Sequence, residues 1–224
     1  MLSLDIMDLQ IQFSGLEAPA LDIASFTLES GQHLAVTGPS GCGKTTFINV
    51  LAGFTKPDKG AVKWGNSDIY TLSQGKRDKW RGKNIGLIMQ DFHLFQGLSA
   101  IDNVLLPLAL SGLVRADDKK RALELLERTN LKKPERDIKM MSRGEMQRVA
   151  VARALLRKPD ILLADEPTAS LDGDNGKIIG DLIQQLGREE NTSLIIVTHD
   201  IELAKRMDRR LELNSGRIVK DERL

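Results

Sequence analysis

The sequence predicts an α/β domain with a mainly parallel sheet, interrupted by a helical insert. Three observations carry that prediction. Near its start, a short apolar strand runs into a glycine-rich turn and then a helix. From Ile161 to Met207, strand and helix patterns alternate. Between these regions, from Ile101 to Leu156, the helical period dominates and strand signals vanish.

Each element follows from local pattern. Apolar residues alternate at Leu4, Ile6, Leu9, Ile11 and Phe13, with a register break near Met7, and read as an opening strand. A second strand covers about Ile23 to Leu28. A third covers His33 to Thr37, with His33 read as a strand-surface residue. A helix follows from Lys44 to Ala52, and Gly53 stops it. Ile85 to Met89 is a further strand. In the insert, Ala122, Leu125, Leu126 and Thr129 share one helix face. Ile161 to Ala164 reads as a buried strand and Lys177 to Arg188 as a helix. Ser193 to Val197 is a strand, Ile201 to Met207 a helix, and Arg209 to Lys220 a hairpin turning at Asn214-Ser215-Gly216.

Bulk properties exclude several classes. The 224 residues suit one sizeable domain, and a net charge of +1 offers no global field for nucleic acid. The single cysteine, Cys42, excludes an internal disulfide framework and a multi-cysteine metal site. No apolar run reaches the roughly 20 residues that cross a bilayer. The opening Met1-Leu2-Ser3-Leu4-Asp5 lacks the basic and apolar regions of a signal peptide. The expected location is cytoplasmic, with any membrane role exercised through a partner.

Two motifs carry chemistry. Gly38-Pro39-Ser40-Gly41-Cys42-Gly43-Lys44-Thr45 matches the phosphate-binding pattern G-x-x-x-x-G-K-[ST]. Glycines let the backbone turn its N–H groups around an anion, and the following helix adds its positive end. Lys44 is placed to reach the β- and γ-phosphates and Thr45 to hold Mg²⁺. Cys42 is a small filler residue in this loop. Ile161-Leu162-Leu163-Ala164-Asp165-Glu166 is an apolar strand ending in two carboxylates. Asp165 suits Mg²⁺ or its waters, and Glu166 suits the water that attacks a γ-phosphate.

Met141-Ser142-Arg143-Gly144-Glu145-Met146-Gln147-Arg148-Val149-Ala150 resembles the signature of ATP-binding-cassette (ABC) ATPases. Other motifs of that family follow in order. Gln90 is similar to its Q-loop, Ser170-Leu171-Asp172 to its D-loop, and Val197-Thr198-His199-Asp200 to its switch-histidine loop. The resemblance covers essentially the whole chain. It implies a P-loop NTPase core with a mainly parallel sheet, an N-terminal antiparallel β subdomain and an inserted α-helical subdomain. The core would comprise residues 1–95 and 160–224, and the helical subdomain about 96–159. The resemblance further implies ATP and Mg²⁺ as cofactors and catalysis by Glu166, His199 and Gln90. Nucleotide contacts would come from Phe13, Gly38, Pro39, Ser40, Gly41, Cys42, Gly43, Lys44, Thr45 and Thr46, and from Ser142, Gly144, Glu145 and Asp172. The metal would be held by Thr45, Gln90 and Asp165. Partners implied are a second copy, joined head to tail around ATP, and an integral membrane permease subunit that keeps the ATPase on the cytoplasmic face of the inner membrane.

One residue departs from the pattern. Arg143 stands where the family has its first signature glycine. It could add a cation near phosphate or the partner's D-loop, or point to solvent. The stretch from Ile85 to Leu108 resembles the lipoprotein-release, macrolide-export and cell-division branch. An importer ATPase, or a soluble non-transport ABC ATPase, is the alternative. Asp91, Phe92, His93, Leu94, Phe95 and Leu98 form a candidate docking surface for the membrane subunit.

Overall fold

The computed structural model describes residues 2–112 and 114–224. In chain order the first elements are β1 (Leu4–Ile11), β2 (Leu21–Leu28), β3 (His33–Thr37), α1 (Lys44–Leu51), β4 (Lys59–Trp64), β5 (Ser67–Asp68), α2 (Gln74–Asn84) and β6 (Ile85–Ile88). The insert follows as α3 (Ala100–Ala109), α4 (Ala116–Arg128) and α5 (Arg143–Leu155), with a single 3₁₀ turn at Ile138–Met140. The chain closes with β7 (Ile161–Asp165), α6 (Gly173–Glu189), β8 (Ser193–Val197), α7 (Ile201–Ala204), β9 (Arg209–Asn214) and β10 (Arg217–Arg223).

Among the described residues these strands form two sheets. One is antiparallel, in the order β2-β1-β4-β5. The register break expected near Met7 is an irregularity between Met7 and Gln10 in the pairing of β1 with β4. The second sheet runs β10-β9-β3-β8-β7-β6 and is parallel except for the edge strand β10. β3, β8, β7 and β6 are neighbours in this sheet. The glycine-rich loop, His199, Asp165-Glu166 and Gln90 lie at or just beyond their carboxyl ends, so they gather along one edge. Ligands of open α/β sheets bind at such an edge.

The parallel strands are buried on both faces, which explains their continuous apolar runs. Leu162 and Ala164 of β7, with Leu194 and Ile196 of β8, enter a core shared with α3 to α6. Ile161, Leu163, Ile195 and Val197 face the opposite way, into a core shared with α1 and the antiparallel sheet. Each Leu, Ile or Val among them contributes about 1.5–3 kcal/mol on burial. Trp64 fastens the antiparallel sheet to α1 by donating from Nε1 to the Leu51 carbonyl at 3.1 Å. Arg121 of α4 holds the insert to the core. It donates to the carbonyls of Leu155 and Leu156 at 2.9 Å each, and to Glu190 at 2.9 Å.

His33 is not on the strand surface. It is 0% exposed, because α6 covers that face of β3. Gly187 of α6 leaves room for the ring: a Cβ there would lie 3.2 Å from His33 Cε1. Helix α6 begins at Gly173, four residues before the expected start. Asp172 caps it by accepting the Asn175 N–H at 2.9 Å, and the polar, glycine-containing first turn hid the helical period. Helix α7 ends at Ala204, short of the expected Met207.

Candidate nucleotide site

The loop between β3 and α1 has a backbone that only glycine allows at two positions. Gly38 has φ 145°, and a Cβ there would lie 2.1 Å from the Leu213 carbonyl oxygen. Gly43, at φ 107°, would meet the Ala20 carbonyl oxygen at 2.6 Å. Lys44 is buried, and its Nζ donates to the Gly38 and Pro39 carbonyls at 2.9 Å each. The ammonium is therefore held over the concave side of its own loop, where an anion would sit. Cys42 packs into the core, in keeping with a filler role.

The end of β7 brings two unlike carboxylates to this loop. Asp165 is buried, and its Oδ1 has no hydrogen-bond partner. Burial pushes its pKa up, while a hydrogen bond with Thr45 and the charge of Lys44 pull it down. Glu166 sits at φ 47°, a left-handed conformation that is costly for a residue with a Cβ. Its N–H donates to the Val197 carbonyl at 3.0 Å, and its Oε1 lies 2.9 Å from His199 Nε2. Burial raises its pKa above the usual carboxylate range, against the pull of His199 and Lys44.

Lys44, Thr45, Glu166 and His199 line one cleft of about 650 Å³, together with Phe13, Gln90 and Thr46, whereas Gly38, Pro39, Cys42 and Asp165 lie behind its lining. Ser40, Gly41 and Gly43 line it too. The volume is in the range of small-molecule sites.

Ser142, Gly144, Glu145 and Asp172 lie elsewhere, in a second cleft of about 350 Å³ beside Arg143 and Ser170. The two clefts share no lining residue. Ser142 caps α5: its Oγ accepts the Glu145 N–H at 3.2 Å, and the Glu145 carboxylate accepts the Ser142 N–H at 2.8 Å. That backbone donor holds the Glu145 carboxyl below its usual pKa. Asp172 is likewise lowered by the Asn175 N–H. Glu145 and Asp172 thus both serve as helix caps, each facing the mouth of this second cleft.

Residues 21–169 match the family model described as "ABC transporter". The chain belongs to the ABC transporter ATPase family. It is 42% identical over 194 residues, 86% of the chain and 85% of the relative, to the lipoprotein-releasing system ATP-binding protein LolD 1 of Rhodopirellula baltica. It is 41% identical to LolD of Colwellia psychrerythraea, over 91% of this chain and 79% of that protein. Among solved structures it is similar to the dimeric ATP-binding cassette MJ0796 in a post-hydrolysis state bound to ADP and Pi. That match has a TM-score of 0.89 at 33% identity and covers 99% of this chain and 98% of the other.

Sequence reading missed part of the lining of this ABC ATPase's larger cleft. Leu16, Pro19, Ala169, Ser215 and Gly216 also line it. The Asn-Ser-Gly turn had a second meaning: Gly216 N–H donates to the Cys42 carbonyl at 3.0 Å, so the hairpin braces the phosphate loop. The docking segment after Gln90 needs correction. Phe92 is only 8% exposed and Leu94 packs on the core, whereas Phe95 is exposed. The rings cannot act together as surface anchors. Buried Asn103 shapes this loop by accepting the Phe95 N–H at 2.7 Å and donating to the Phe95 and Ser99 carbonyls. A third groove, of about 570 Å³, lies nearby, lined by Phe54, Arg81, Leu87, Met89, Arg153 and Arg157, among others. Of the six candidate docking residues, only His93 lines it.

Proposed function

We propose that this ABC ATPase works as a head-to-tail pair on the cytoplasmic face of a membrane and drives a membrane subunit in lipoprotein release. The observation that carries the pairing is the separation of the two clefts. Ser142 cannot serve the nucleotide held by its own Lys44 if the two line no common space. A second copy, turned head to tail, brings the α5 terminus of one chain to the phosphate loop of the other. The dimeric solved relatives support this reading.

In the pair, the backbone N–H groups of residues 40–46 and the Lys44 ammonium would hold the phosphates of ATP, and Phe13 would lie against the base. Asp165 and Thr45 fit Mg²⁺, with Gln90 beside them. The buried, unpartnered Asp165 Oδ1 is the feature a cation would satisfy. An ion held by so few protein groups would be completed by phosphate and water. Bound Mg²⁺ would neutralise charge on the phosphates. Glu166 orients the attacking water and accepts its proton, and His199, held by Glu166, faces the γ-phosphate.

We divide the chain into a nucleotide-binding core, 1–95 and 160–224, and a helical subdomain, about 96–159. The arginine-lined groove would receive an apolar cytoplasmic segment of the membrane subunit, with acidic flanks. Its lining carries Arg81, Arg153 and Arg157 against the single carboxylate Asp78. No helix among the described residues is long and apolar enough to cross a membrane, so force would pass through that partner.

Glu166→Gln tests the mechanism. Turnover should fall by roughly 10²–10⁴, the usual worth of a general base, while MgATP binding persists and an ATP-bound dimer accumulates in sedimentation. Near-parent turnover would remove Glu166 from this role. ATP-dependent release of an acylated protein from vesicles carrying the complex tests the lipoprotein assignment. Uptake of a small solute instead would support an importer.

A further inference from the structure

We propose that Arg143 is a positioning residue for ATP hydrolysis: it ties the head of α5 to the segment following Gln90, so that each site reports its occupancy to the other. The proposal rests on the paired reading above. Its basis is a contact that a glycine at 143 could not make. The Arg143 guanidinium lies over the Phe92 ring, 5.3 Å from the centroid. Phe92 is 8% exposed, so the guanidinium lies over a ring that is otherwise buried.

The same helix grips the same segment a second time. Arg153, near the other end of α5, donates to the carbonyls of Phe92 and His93 at 2.7 Å each. One arginine holds the ring and the other the main chain, so residues 92–93 and α5 move as a unit. Gln90 lies two residues upstream of Phe92 and lines the nucleotide cleft. Ser142 immediately precedes Arg143 and lines the second cleft. A shift of Gln90 when its own cleft fills therefore has a short path to the Ser142 offered to the partner's nucleotide. Arg143 is exposed and lines the second cleft, and the contact with Phe92 holds its guanidinium toward the segment after Gln90.

The test is steady-state hydrolysis by the purified full chain across ATP concentrations, with melting curves and nucleotide titrations for each variant. Arg143→Gly and Phe92→Leu are each expected to lower kcat roughly three- to tenfold and to reduce cooperativity in ATP, the range open to one cation–π contact. MgATP affinity of the monomer should not change. The double variant should be no slower than the slower single one. Arg143→Lys and Phe92→Trp should retain most of the activity, and they decide the matter if Phe92→Leu melts early. Additive losses would overturn the proposal, as would a Phe92→Trp protein no better than Phe92→Leu. An Arg143→Gly defect with both Phe92 variants fully active would mean that Arg143 acts directly on the partner's nucleotide, and would also overturn it. A parent chain that stays monomeric with MgATP overturns the paired reading itself.

Discussion

Acid should unfold this protein partly through one residue far from the nucleotide. His33 is 0% exposed, and neither ring nitrogen has a well-formed hydrogen bond, the Thr192 backbone being a polar neighbour. Burial, with help from the nearby Arg188 charge, lowers its pKa from 6.5 to about 4, and Asp208 offsets this only in part. The folded pKa lies below the unfolded one, so the unfolded chain binds the proton more tightly. Stability is therefore intact above pH 6.5 and falls as the pH drops from 6.5 toward 4. At about 1.4 kcal/mol per pKa unit, the loss is on the order of 1 kcal/mol at pH 5.5 and about 3 kcal/mol near pH 4. The assay is urea denaturation from pH 7.5 to 4.5, comparing the parent with His33→Leu. Asp165 and Glu166 also titrate in acid, so the informative quantity is the difference between the two proteins. Near pH 7.5 the variant should match or exceed the parent, because a poorly hydrogen-bonded polar ring is replaced by an apolar side chain of similar size. As the pH falls, its advantage should grow by the amounts above. An unchanging difference across the window would refute the reasoning.

Three further outcomes are expected. Lys44→Ala should weaken MgATP binding by about 1.5–3 kcal/mol, measured by titration calorimetry, with little change in melting, since its present partners are only carbonyls of its own loop. Ser142→Ala should cost about 1 kcal/mol in a denaturation curve, because it removes one half of the α5 capping box, and it should also weaken ATP-driven dimerisation. Asn103→Ala should destabilise by about 1–3 kcal/mol by stranding the Phe95 N–H, with faster amide exchange at Phe95 as the local readout.

The legible parts of the fold were those with strong periodicity or an invariant spacing. β7 and β8 read directly because both faces are buried, so apolar runs with turns at their ends leave little choice. The segment from Lys59 to Asn84 did not read. β4 alternates only weakly, with burial confined to Val62 and Trp64, and α2 has Asn84 as its one buried residue. Such elements owe their form to neighbours rather than to their own pattern: β4 is fixed by pairing with β1. His33 failed for a related reason. Period two assigns a side chain to a face, but whether that face is covered depends on Gly187, more than 150 residues away in the chain.

The site divides along the same line. The glycine-rich loop and the β7 carboxylates are local patterns, so spacing alone singles them out. What joins them is not local. The Glu166–His199 contact requires β7 and β8 to be sheet neighbours, and the bracing of the phosphate loop requires a hairpin at the far end of the chain. The segment after Gln90 shows the cost of reading exposure from composition. Its run of apolar side chains resembled a docking surface, yet α5 claims Phe92 from both ends of the helix. A residue unusual for its motif, Arg143, and a residue misplaced on the surface, Phe92, turn out to be partners in one contact. Each accounts for the other, since the guanidinium lies over the ring 5.3 Å from its centroid and the contact needs both.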